Sequence, residues 1–148
     1  MPEGSGLSMW LIVALIILIW PIFFIALWSA IVMLMSMIGG WRRLARRYAT
    51  TERPAGGRSI PRVTGMVGMS RYKHMLNVTT NERGMFLEIR RIFRMGHPTL
   101  FIPWSEIRSA HKITLFYWQF IAFDVGNPKV ASMRLPSQVF EGTPVFID

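Results

Sequence analysis

The chain has no cysteine, and it has no lysine or arginine before residue 42. The first absence excludes a disulfide framework, a thiolate metal site and a cysteine nucleophile. It suits a reducing cytoplasm. Acids are scarce too, eight in 148 residues, and they are scattered, so no Asp/Glu pair is placed for acid–base work. His74, His97 and His111 share no metal-ligand spacing. No P-loop, G-x-S-x-G or G-x-G-x-x-G string occurs. The expectation is a non-enzymatic protein with no catalytic residue, no metal and no cofactor. His97, between Gly96 and Pro98, reads as the organiser of a turn.

What is there begins with a run from Met9 to Ile38 that carries no charged side chain. Such a length exceeds what a buried core helix needs and reads as a membrane span. A cleaved signal peptide is excluded, because the tail MPEGSGLS has no basic residue and the apolar stretch is too long. The basic residues follow the run at once. Seven arginines stand between positions 42 and 62, against Glu52 alone. Loops rich in Lys and Arg stay cytoplasmic, so the N-terminus faces out and the rest faces in, across an inner (cytoplasmic) membrane. Trp10 and Trp41 bracket the segment, roughly 46 Å apart as a helix, and read as anchors at opposite interfaces. Pro21 kinks the helix. A hairpin turning at Pro21 is the rival, but its first arm is too short to cross.

The second half of the span has one face of small residues and methionines: Ala26, Ser29, Ala30, Met33, Ser36, Met37 and Gly40. Small side chains let helix backbones approach closely in lipid, so this face reads as a helix-packing surface. Trp41 to Tyr48 continues as an amphipathic turn. Trp41, Leu44, Ala45 and Tyr48 lie on one side, and Arg42, Arg43, Arg46 and Arg47 on the other. That pattern predicts a helix lying in the membrane interface with snorkelling arginines. The net charge of +9 is then largely topogenic and speaks for anionic lipid head groups rather than nucleic acid.

The segment boundaries follow: an outside tail at 1–8, a span at 9–40, the interfacial helix at 41–48, a Pro/Gly-rich linker at 49–61 and a cytoplasmic β domain at 62–148. Residues 72–79 and 85–91 alternate in polarity around a turn ending in Gly84, a hairpin signal. Leu100 to Ile102 reads as a short strand stopped by Pro103, and Ser105 with Glu106 as a single helical turn. Ile113 to Val125 reads as one long strand, ended by Gly126-Asn127-Pro128 and followed by a strand at 129–135. Residues 61–69 offer a first strand, with Gly65 and Gly68 as bulge or close-packing positions. About six strands in this length make a small antiparallel half-barrel or sandwich.

Three strings carry a resemblance. They are Gly40-Trp41…Leu44-Ala45…Tyr48, then Asn81…Gly84, and then FRMGHPTLFIPWSEI from Phe93 to Ile107. Together they resemble an uncharacterised family of small bacterial single-span membrane proteins. The order of strands around the IPWSEI string is similar to GRAM and other pleckstrin-homology-like domains. That resemblance implies a split β-barrel and no activity. Such domains close with a C-terminal helix, which this chain is too short to supply, so the barrel is expected to be incomplete or finished by a partner.

Two surfaces remain for function. Arg90, Arg91 and Arg94, with Arg83 and Lys73 nearby, form a basic patch for lipid head groups or an acidic partner. The long strand is apolar on both faces, which leaves Phe116, Trp118 and Phe120 as candidates for docking a partner. Two functions follow. One is an accessory, structural subunit of a larger membrane complex, photosynthetic or respiratory, packed against other transmembrane subunits. The other is a membrane-anchored module that binds anionic lipids.

Overall fold

The computed structural model describes residues 4–148. Residues 1–3 of the expected outside tail lie outside the described residues. Helix α1 (Gly4–Gly39) takes in the remainder of that tail and runs unbroken through Pro21, which removes the hairpin alternative. Its stretch Gly6–Gly39 is long and apolar enough to cross a membrane. The helix stops where Gly40 adopts φ +88°, a left-handed conformation that a side chain disfavours. Helix α2 (Trp41–Tyr48) starts there.

Seven strands follow: β1 (Arg58–Val67), β2 (Ser70–Thr80), β3 (Gly84–Ile89), β4 (Leu100–Pro103), β5 (Ile107–Leu115), β6 (Trp118–Val125) and β7 (Ala131–Pro136). They form one curled antiparallel sheet in the order β4-β3-β2-β1-β7-β6-β5. β1 and β7 pair only through Met66–Arg134 and Val67–Met133, so the sheet turns its corner on a narrow seam. The inward rows alternate as the pleat requires. Leu76 and Val78 on β2, Met85, Leu87 and Ile89 on β3, and Ile121 and Phe123 on β6 are all buried. Phe86 is buried as well, against Phe101 at 4.7 Å between ring centroids.

Helix α2 corrects the expectation of an interfacial helix. Trp41, Leu44 and Tyr48 are buried in the core of the half-barrel, and only the arginine face is exposed. The hydrophobic side that the sequence offered to lipid is spent on the sheet. The chain just after α2 then follows β4, where Ala49 bridges Leu100 and the Thr50 N–H donates to the Thr99 carbonyl at 2.9 Å. At the other edge, Asp148 exchanges hydrogen bonds with Ala110 and Lys112 of β5. Segments of the same chain therefore cover both open edges, and an N-terminal helix does the work expected of a C-terminal one. The expected linker at 49–61 is shorter than supposed, since β1 begins at Arg58.

Candidate docking surface

The stretch 113–125 is not one strand. Leu115 pairs with Trp118, which leaves Phe116 and Tyr117 as a two-residue turn between β5 and β6. Phe116 has φ +57°, at the position of such a turn that favours glycine. No packing holds it there: Phe116 is 94 % exposed and Tyr117 97 %. Leu115 and Trp118 are exposed beside them. Phe116 is thus on the tip, while Trp118 and Phe120 lie one behind the other on β6, with Phe120 half-buried.

Trp118 and Phe120 wall a groove of about 430 Å³ whose opposite side is β1 and β2. Arg62, Arg71, Lys73 and His74 line that side. An adjoining hollow of about 220 Å³ reaches Met66 and Arg134. Neither hollow is lined by an acidic residue. The four ion pairs among the described residues lie elsewhere: Arg47–Glu106, Arg58–Glu141, Arg83–Glu52 and Lys129–Asp124.

The backbone is irregular along this side of the groove. The β1–β2 register shifts between Ile60 and Val63 and again between Val63 and Gly65. Within this bulged stretch Arg62 has φ +57°, and across it His74 has φ +53°. The Arg62 N–H donates to Asn77 Oδ1 at 3.2 Å, and the His74 N–H donates to Thr64 Oγ1 at 3.0 Å. His74 consequently leaves the inward row that Tyr72, Leu76 and Val78 keep. Among the described residues, four non-glycine residues are left-handed, and three of them (Arg62, His74 and Phe116) line this groove or hollow. Such conformations are costly and cluster where a site needs them.

The small-residue face expected on the span divides in two. Ser36 and Gly40 are buried within the chain, where the Ser36 hydroxyl donates to the Gly96 carbonyl. Met33 lies beside Gly96, and Ser29 is half-buried. Ala26, Ala30 and Met37 stay exposed. The Ser70 hydroxyl donates to the Met35 carbonyl at 3.2 Å, and Trp28 meets Phe93 at 5.6 Å. Gly68 has φ +60° and sits directly on the Gly39 carbonyl, so the β1–β2 turn is locked to the end of α1.

Trp41, expected at the membrane surface, is fully buried. Its Nε1–H donates to the Pro98 carbonyl at 3.0 Å, and its ring meets His97 at 5.3 Å and Tyr72 at 5.6 Å. His97 Nδ1 faces the Met95 carbonyl at 3.0 Å and must carry the proton; Nε2 then accepts from the Tyr72 hydroxyl at 3.0 Å. Burial lowers the His97 pKa and raises that of Tyr72 to about 12. Tyr48, also expected at the surface, is buried and donates to Glu106 at 2.9 Å. Burial first, and that bond second, push its pKa up to about 12.

Of the remaining candidates, Trp10 is exposed on α1, and Arg42, Arg43, Arg46 and Arg47 are exposed on α2. Arg90, Arg91 and Arg94 are exposed around the short 3₁₀ turn Arg91–Phe93. Arg83 does not join them; it lies at the far end of β3, 3.9 Å from Glu52. Sequence reasoning missed Arg62, Arg71 and Arg134 as a group, because the curling of the sheet, not their spacing, assembles them. Among the described residues no group of three His, Asp or Glu side chains comes together as metal ligands.

No family model matches the chain, and neither a curated protein nor a solved structure matches it.

Proposed function

We propose that this chain is a non-catalytic accessory subunit of a larger membrane assembly. Helix α1 crosses the inner membrane once, with its N-terminus outside, and the β domain caps the cytoplasmic side. The arginines that begin at Arg42 support that orientation. The partner docks on the β5–β6 tip and the groove behind it. One observation carries this reading: the chain keeps a phenylalanine, 94 % exposed, in a left-handed turn position where glycine would be easier. Exposed aromatics of this kind anchor protein interfaces. The acid-free cationic groove beside them fits a partner that presents carboxylates around an apolar patch.

The test is Phe116→Ser with Tyr117→Ser in the full-length chain, expressed in its native host. Both positions are solvent-facing, so the fold is retained. The variant is expected to stay in the membrane fraction but to leave the complex isolated in mild detergent. Co-migration equal to wild type would overturn the proposal.

A further inference from the structure

We infer that the membrane surface on the β-domain side lies at the level of Trp28, and that the loop from Arg90 to Met95 is seated in it. The inference rests on reading α1 as a span. Helix α1 has 36 residues and so is about 54 Å long, far more than a hydrocarbon core of about 30 Å requires. Some of it must therefore stand outside the hydrocarbon or tilt strongly. The β domain fixes where. Phe93 packs on Trp28, and Gly96 packs against Met33 and Ser36, so the loop lies alongside the last third of the helix.

That loop carries Arg90, Arg91 and Arg94 and no acid. Arginines are expelled from hydrocarbon to the head groups. Ile92 and Met95, between and beside them, are 69 % and 57 % exposed. An exposed isoleucine and methionine among arginines have the composition of an interfacial insertion, with apolar side chains in the acyl boundary and guanidinium groups on phosphates. Trp10 and Trp28 are then about 27 Å apart along the helix, one hydrocarbon thickness. Trp28 becomes the inner anchor, and Trp41 is free to serve the β-domain core, where it is found.

The experiment uses the absence of cysteine in the native chain. Single variants Ile16→Cys, Ile92→Cys, Met95→Cys and Asn127→Cys of the full-length protein carry an environment-sensitive fluorophore in nanodiscs of phosphatidylcholine with phosphatidylglycerol. Quenchers are attached to the lipid near the head group or deep in the acyl chain. Labels at 92 and 95 are expected to be quenched by the shallow quencher at least about twofold more than the label at 127. The label at 16 should respond to the deep quencher. Combining Arg91→Gln and Arg94→Gln should lower shallow quenching at 92 and 95. Labels at 92 and 95 as water-exposed as the one at 127, with 16 still deep, would overturn the seating but leave the span intact. A label at 16 that no lipid quencher reaches would overturn the span reading itself, and the seating with it.

Discussion

The indole of Trp41 is enclosed by His97 and Tyr72, and its one donor is satisfied by the Pro98 carbonyl. Removing it leaves a large cavity at the junction of α2 and the sheet. Trp41→Ala is expected to cost about 3–5 kcal/mol of β-domain stability, read by denaturant unfolding in detergent. Arg42→Ala, one residue along on the exposed face, should change it by less than about 0.5 kcal/mol. Beside Trp41, His97 is held neutral by burial, below its ordinary 6.5. The unfolded chain takes up a proton at that ordinary value before the folded one does. Stability contributed by neutral His97 is therefore complete above 6.5 and is lost as pH falls from there through the lower folded-state pKa. Thermal unfolding followed from about pH 7.5 to about pH 5 should show this loss, and His97→Gln should flatten it.

Among the elements, the hairpin of β2 and β3, the stop after β4, and the single turn at 104–106 are written in local chemistry. Alternation, Gly84 and Pro103 announce them. The β5–β6 hairpin is not, because Phe116 and Tyr117 are poor turn formers and both neighbours continue the apolar pattern. A turn without turn residues is invisible to propensity, and a conflict between folding and the proposed docking role would leave that mark. Phe116→Gly tests that conflict. Relief of the left-handed strain should raise stability by about 1 kcal/mol while association with the partner falls, measured by thermal unfolding and co-purification on the same variant. The role of α2 was hidden for a different reason. An amphipathic octamer next to a span has two apolar environments to choose from, and only the curled sheet decides that Leu44 and Trp41 turn to it. The joint with α1 depends on Gly68, whose φ of +60° and closeness to the Gly39 carbonyl leave no room for a methyl. Gly68→Ala should cost more than about 1 kcal/mol and open the α1–β-domain junction to protease, seen as a new cleavage between α1 and β1.

At the scale of the molecule, the chain is one long apolar helix fixed at several points to a small half-barrel. The helix and the all-β character are legible in composition and period alone. The groove and its adjoining hollow are not, since Arg62 and Arg71 of the one and Arg71 and Arg134 of the other come from β1, β2 and β7, which the corner of the sheet brings side by side. If the groove takes an acidic partner, raising salt from about 0.1 M to about 0.5 M should weaken association of wild type. Arg71→Gln with Arg134→Gln should bind more weakly at low salt and respond less to that change. The docking role of the tip is tested most directly by photo-crosslinking from Tyr117 in the membranes of the native host. A benzophenone side chain at 117 is predicted to give one discrete adduct with a membrane-protein partner, and the same group at Asn127 to give none. A smear of adducts, an adduct with lipid alone, or equal labelling from both positions would contradict the account.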